Sequence, residues 1–289
     1  MFTFPNTPEK LTIAEQGIVD YIASHRDEFL CMTISRLSET LNISEATISR
    51  FSRHVGFKDF KSLKLYIMEN TSRRGPAQKV SNTLRTGSGD FLSYWMEKQR
   101  FDIQKTLEMM DQDEFNRAVE AIKAARRVFI YAKNASGAPA RLAEFRLSRL
   151  GLDTRFLPTG GTELLERLAA VEAGDIVIIF GFSKLSKGAS VILEQRAKAG
   201  FKVILFTSRT YHDDNADIRL FVYRGEENEF HSMCAPSAVV DAIALALSKS
   251  MGDEAMGRLE AIQRLKTEYK DRIYKDPAVQ RWGLRLSKN

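Results

Sequence analysis

Apolar positions fall into two regimes along the chain. Through residue 76 they recur every three or four residues. Ile13, Ala14, Ile18, Tyr21 and Ile22 lie on one face of a helix. Thr33 stands where it can N-cap a second, short helix carrying Ile34, Leu37 and Leu41. The tetrapeptide LNIS at 41–44 predicts a tight turn, with Asn42 in the left-handed conformation. Ser44 then caps a third helix, EATISRFSRHV, whose apolar side is Ile48, Phe51 and Val55.

From residue 126 onward the pattern changes to short continuous apolar runs alternating with helical stretches. Strands are expected at 128–132, 154–158, 176–182, 203–207 and 218–223. Helices are expected at 138–150, 163–171, 189–199 and 238–250. A run such as DIVIIFGF is buried on both faces, as in a parallel sheet sandwiched by helices. The layout is that of a doubly wound α/β domain, which binds ligands at the C-terminal ends of its strands. Four units follow: a mainly α domain at 1–76, a linker with connecting helices at 77–125, the α/β domain at 126–250, and a helical tail at 251–289. The stretch 71–90 is polar and holds Gly75, Pro76, Gly87 and Gly89. Two helices occupy 91–125, the second opening near 111–113. The tail ends in Trp282, Leu284 and Leu286, placed to pack on the α/β domain or on a second subunit.

Composition narrows the class. With 289 residues, 44% apolar and 28% charged, the chain has enough material for two cored domains. The apolar run 176–182 is too short for a membrane span, and the first ten residues lack the pattern of a secretory signal. Cys31 and Cys234 are the only cysteines, and no Cys/His group has metal-ligand spacing. A reducing, cytoplasmic setting is expected, with no metal, no cofactor and no membrane partner.

Charge is unevenly spread. Residues 1–49 hold three Lys/Arg and seven Asp/Glu, a net of −4, whereas 50–74 hold seven Lys/Arg against two acids, a net of +5. A basic stripe on one side of a small domain suits a phosphate backbone, although a solvated basic face has the same composition. Two short helices joined by a tight turn form the helix-turn-helix pattern, whose second helix enters the major groove. With Ile48, Phe51 and Val55 inward, Glu45, Thr47, Ser49, Arg50 and Arg53 project outward. Arginine there can grip a guanine edge, and serine or threonine can reach phosphates. Ser44 positions the helix, and Lys58, with Lys61 and Lys64 beyond it, is placed for backbone contacts. The alternative is a helical protein–protein module.

The segments LTIAEQGIVDYI and MTISRLSETLNISEATISRFSRHVGFKDFKSLK closely resemble the N-terminal domain of the RpiR/MurR family of bacterial regulators. The resemblance implies a winged-helix-like helix-turn-helix domain that binds a double-stranded operator. Residues 126–250 resemble the SIS (sugar isomerase) domain that accompanies it in that family, through ARRVFIYAKNASGAPARLAEFRLSRLG and GDIVIIFGFSKLSKGASVILEQRAKAGFKVILFTS. This implies a phosphorylated sugar or amino sugar as effector, and a homodimer or tetramer assembled through the SIS domains.

Two loops at strand ends are the candidate ligand site: 132–140, with Asn134 and Ser136, and 181–189, with Ser183, Lys184 and Ser186. Small residues, hydroxyls and a following helix N-terminus suit an anion, though such residues also make plain tight turns. The family loop typically reads Ser-x-Ser-Gly-x-Thr. Here Gly181 replaces the first serine and Lys184 the glycine. Lys133 and Asn134 also stand where glycines are usual. SIS domains occur in phosphosugar isomerases too, and Glu229 and His231 are the candidate bases. With a DNA-binding domain attached, the expected role is a non-enzymatic regulator. The alternatives are an isomerase, or a DNA-binding protein whose SIS domain only oligomerises.

Overall fold

The structure, a computed structural model, describes residues 4–6, 11–69, 75–87, 89–210 and 214–273. The first domain comprises α1 (Ile13–Ser24), α2 (Arg26–Cys31), α3 (Ile34–Leu41), α4 (Glu45–His54) and α5 (Phe60–Glu69). Thr12 and Glu15 form a reciprocal capping box that starts α1. Asn42 has φ +53° and ends α3, and Thr33 and Ser44 cap α3 and α4 as expected. The core holds Ile18, Ile22, Phe29, Leu37, Ile48, Phe51 and Val55, all fully buried.

The described residues of this domain form helices and no strand, in keeping with the mainly α helix-turn-helix expectation. The basic run after α4 forms α5. Asp59 and Ser62 cap it reciprocally, with Ser62 N–H to Asp59 Oδ1 at 2.8 Å and Asp59 N–H to Ser62 Oγ at 3.1 Å. Leu63 and Ile67, four residues apart on one helix face, complete the core.

Three helices lead to the sheet: α6 (Pro76–Thr86), α7 (Phe91–Met109) and α8 (Gln112–Lys123), the last two N-capped by Asp90 and Asp111. The α6 segment is docked on the second domain. Asn82 Nδ2 donates to the Asn228 carbonyl (2.9 Å), and Thr83 Oγ1 accepts from Phe230 N–H (2.8 Å).

Five strands form one parallel sheet: β1 (Val128–Ala132), β2 (Thr154–Phe156), β3 (Ile176–Phe180), β4 (Lys202–Thr207) and β5 (Ile218–Phe221), in the order β2-β1-β3-β4-β5. The helices are α9 (Gly137–Arg149), α10 (Gly161–Leu168), α11 (Lys187–Ala199) and α12 (Cys234–Met251), followed by α13 (Asp253–Glu268) and α14 (Lys270–Ile273). Alternate strand residues serve opposite faces. Ile130, Ile178, Ile204 and Leu220 pack with α8, α9 and α12, while Phe129, Val177, Val203 and Leu205 pack with α10 and α11. Helices thus cover both faces, as the apolar runs require. By length and composition α12 is the one described helix that could cross a membrane. Its Val240, Ile243 and Leu247 are instead buried against the sheet. Trp282, Leu284 and Leu286 lie outside the described residues.

Candidate functional site

The face of α4 opposite the core carries the residues expected to meet DNA. Ser44 Oγ accepts the Thr47 N–H (3.1 Å) and lies 2.8 Å from Thr47 Oγ1. Arg50 and Arg53 are exposed, and Arg50 Nη2 rests 3.4 Å from Thr47 Oγ1. Arg53 Nε donates to the Ser49 carbonyl at 3.4 Å. Ser49 is half-buried, and Lys58 is exposed beyond the turn. Glu45 is exposed but committed: the Ser35 hydroxyl donates to Oε1 at 2.5 Å, tying α3 to α4. Lys64 is turned inward, its ammonium donating to the Met32 carbonyl at 2.8 Å, so its charge serves the end of α2 instead of a phosphate. Behind α4, His54 Nδ1 meets Glu15 Oε1 at 2.7 Å. Glu15 is held below the ordinary carboxylate value. Burial opposes this, but the Thr12 N–H, His54 and the Thr12 hydroxyl together outweigh it.

At the C-terminal end of the sheet the two expected loops lie side by side on neighbouring strands β1 and β3. Asn134 is exposed with φ +55°, adopting the left-handed backbone that glycine ordinarily supplies. Ser136 precedes α9, is half-buried, and makes no capping hydrogen bond to it. Ser183 is half-buried and Lys184 exposed. Ser186 is already engaged. Its Oγ accepts the Ala189 N–H (3.2 Å) and bonds to the Tyr131 hydroxyl (2.8 Å), which donates to the Thr159 carbonyl (3.0 Å). Gly181 has a packing reason. A Cβ there would lie 2.7 Å from Leu185 Cδ2, so leucine fills the place of a serine side chain.

The two candidate bases do not form a pair. Glu229 Oε2 is held by Lys98 Nζ at 2.7 Å, whereas His231 Nε2 lies 3.0 Å from the Glu226 carbonyl. Burial first, then the nearby Arg224 charge, lowers His231 from 6.5 to about 3, so its ring is neutral.

Sequence reading missed three residues here. Arg224 follows β5 and is buried, its guanidinium 3.9 Å from the Phe182 ring. Arg209 is buried and paired with Asp214 at 2.9 Å. Asp20 of α1 reaches across to the second domain, where Oδ2 accepts both the Thr210 hydroxyl (2.6 Å) and the Thr210 N–H (3.2 Å). The signal for Arg224 was present: inward positions 218, 220 and 222 continue to 224 at the period of a strand. Asp20 had none, since its partner is 190 residues away. Between α1, α7 and the ends of β4 and β5 lies a cleft of about 770 Å³, lined by Asp20, Ser183, Ser208, Arg209, Tyr223 and His231 among others.

An α4 that presents two arginines, joined to a five-stranded parallel sheet with serine loops at its C-terminal end, defines a helix-turn-helix protein with a SIS-type α/β domain. Residues 4–74 match the family model described as the helix-turn-helix domain of the rpiR family, and the first domain is a member of that family. Two relatives named as uncharacterized HTH-type transcriptional regulators align over most of their length. The Bacillus subtilis YbbH protein is 24% identical over 87% of this chain and 91% of its own, and one from Caldanaerobacter subterraneus subsp. tengcongensis is 24% identical over 86% and 90%. A regulator from Haemophilus influenzae is 29% identical over about half of each chain (50% and 51%). Among solved structures, the sugar isomerase domain of the Sphaerobacter thermophilus RpiR transcription factor superposes with a TM-score of 0.57, at 21% identity over 61% of this chain and 99% of that one. The Vibrio vulnificus NanR protein, solved with ManNAc-6P, superposes with a TM-score of 0.58, at 19% identity over 90% of this chain and 95% of its own.

Proposed function

We propose that this chain is a sequence-specific, DNA-binding transcriptional regulator whose SIS domain binds a phosphorylated sugar or amino sugar. The observation that carries the reading is the outward face of α4, where a capped N-terminus, Thr47, Arg50 and Arg53 stand free of the core within an rpiR-family domain. Thr47, Ser49, Arg50 and Arg53 contact bases or nearby phosphates; Ser44 and Glu45 fix the helix, and Lys58 contacts backbone. Asn134, Ser136, Ser183 and Lys184 receive the effector, with Ser186 holding the loop in place. The NanR complex with ManNAc-6P, on the same fold, supports that class of ligand.

The protein acts in the cytoplasm and is not an isomerase, because Glu229 and His231 are each turned to a different partner. It works as a homodimer or tetramer on a two-fold operator. Supporting this, α7 exposes Phe91, Leu92, Met96 and Leu107, an apolar surface suited to a second copy. The units are the helix-turn-helix domain at 1–76, connecting helices at 77–125, the effector domain at 126–250 and a tail at 251–289.

The test is fluorescence anisotropy with DNA flanking the protein's own gene, across salt concentrations, with and without a sugar-phosphate panel that includes ManNAc-6P. Tight, site-specific binding changed by one sugar phosphate is expected. Arg50→Ala should cost about tenfold or more in specific affinity while leaving effector binding unchanged. Specific binding indifferent to every sugar would favour a SIS domain that only oligomerises. Only weak, steeply salt-dependent binding to any DNA would overturn the regulator itself.

A further inference from the structure

Both α9 and α12 follow a strand of the parallel sheet and run back along it, so both begin at the sheet's C-terminal end. They pack lengthwise, with Arg146 Nε donating to Asp241 Oδ1 at 2.9 Å. Ser136 makes no side-chain cap to α9, and at α12 the one cap is Ser232 Oγ, which accepts the Cys234 N–H at 3.0 Å. The positive ends of two helix dipoles therefore sit together where the serine loops lie.

Arg224 belongs to the same face. The inward residues of β5 and its continuation, Ile218, Leu220 and Val222, join the core shared with α9 and α12, and Arg224 is next in that alternation. It is 6% exposed. Its guanidinium carbon lies 3.9 Å from the ring centre of Phe182, the residue immediately before Ser183. Its Nε has no hydrogen-bond partner, and no described carboxylate forms an ion pair with the group. A buried charge without a partner is strongly unfavourable, and proteins keep one where an incoming group will complete it. Burial alone lowers this guanidinium from 12.5 to about 9, so it still carries its charge at neutral pH.

We propose that Arg224 is an oxyanion receptor of the effector site, gripping two oxygens of a phosphate or carboxylate group with the edge of a guanidinium held over the Phe182 ring. The proposal rests on the effector reading above and gives it a chemical anchor. In this chain Leu185 fills the place of the loop's first serine, Lys184 replaces its glycine and Ser186 is tied to Tyr131, so the serine cradle is reduced. A planar fork supplies the missing donors, and in doing so selects paired oxygens.

The test compares the full chain with Arg224→Met and Arg224→Lys, by thermal melting and calorimetric titration. The probes are inorganic phosphate, gluconate and the sugar phosphates of the panel. Without ligand, Arg224→Met is expected to melt at or above the wild-type temperature, because it removes an unpaired buried charge. It should also lose roughly ten- to a hundredfold in affinity for the sugar phosphate that binds best, with Arg224→Lys recovering part of the loss. Loss toward phosphate and sugar phosphates identifies a phosphate receptor; loss confined to gluconate identifies a carboxylate receptor. Sugar phosphates and gluconate that all bind wild type and Arg224→Met alike would overturn the proposal while leaving the effector reading intact. Inorganic phosphate that protects wild type but not Arg224→Met, with no sugar phosphate bound, would keep the receptor and overturn the effector reading. An Arg224→Met protein that melts lower and binds every probe as wild type does would make Arg224 a packing residue only.

Discussion

At the scale of single residues, Ser44 joins stability to recognition. Its Oγ accepts the Thr47 N–H at the start of α4, shared with the Ser44 carbonyl, and also touches Thr47 Oγ1, which in turn lies beside Arg50. Removing the cap frees a helix N-terminus and loosens the first two residues that would meet DNA. Ser44→Ala is expected to lower stability by about 1 kcal/mol, read as a drop of a few degrees in melting temperature. It should also weaken operator binding by more than the loss of one phosphate contact. Ser44→Asp, which caps equally well, should restore the melting temperature but not the affinity, because it places a negative charge against phosphate. A variant that melts lower yet binds the operator normally would separate the two roles and remove Ser44 from the recognition face.

At the scale of elements, α7 is built the wrong way round for an isolated protomer. It buries Gln99, Asp102 and Thr106 and exposes Phe91, Leu92, Met96 and Leu107. Asp102 is 1% exposed, and neither carboxylate oxygen has a hydrogen bond. Desolvation raises it from 3.8 to about 6, against the partial relief of Lys98 at 3.9 Å. A carboxyl raised on folding contributes stability that is full below its ordinary value and is lost as pH climbs through about 6. Asp102→Asn should therefore raise stability by roughly 1–3 kcal/mol at pH near 8 and remove the decline seen in wild type across that window. Melting curves over pH would check this, and identical slopes for the two proteins would refute it.

The same helix shows where sequence reading stops. Elements with a clear apolar pattern, one-sided in α4 and continuous in β1 and β3, were legible because burial against the neighbouring layers decides them. Their caps at Thr33 and Ser44 were legible because capping chemistry is local. In the run after α4 the lysines are legible as candidate backbone contacts, whereas the inward turn of Lys64 to the Met32 carbonyl is not, because it depends on a partner 32 residues away. The candidate loops were placed correctly at the ends of β1 and β3. Which hydroxyls remain free was not legible, because Tyr131 reaches Ser186 across 55 residues. Arg224 reads as one more surface arginine until the strand's alternation is carried past its end.

At the scale of the whole molecule, Asp20 ties the recognition domain to the effector domain beside the cleft. Its carboxylate accepts two bonds from Thr210, yet burial raises it above the ordinary aspartate value, with Glu226 adding repulsion. The acid form is thus favoured when the domains are docked. Its contribution to docking is full below the ordinary value and is lost as pH rises through the raised one. An oxyanion bound near Ser183 and Ser208 would bring further negative charge to the same cleft and push in the same direction, which couples the two sites. Asp20→Asn keeps an acceptor for Thr210 and cannot ionise, so it should hold the domains docked at every pH. The only two cysteines, Cys31 and Cys234, are exposed and lie one in each domain, so they can carry a donor and acceptor pair without further engineering. Energy transfer in labelled protein diluted with unlabelled protein is expected to fall as pH rises in wild type and to stay at its acid value in Asp20→Asn. Superimposable pH profiles would show that Asp20 does not govern the contact. A sugar phosphate that lowers transfer in wild type but not in Asp20→Asn would place the contact on the route from effector to DNA.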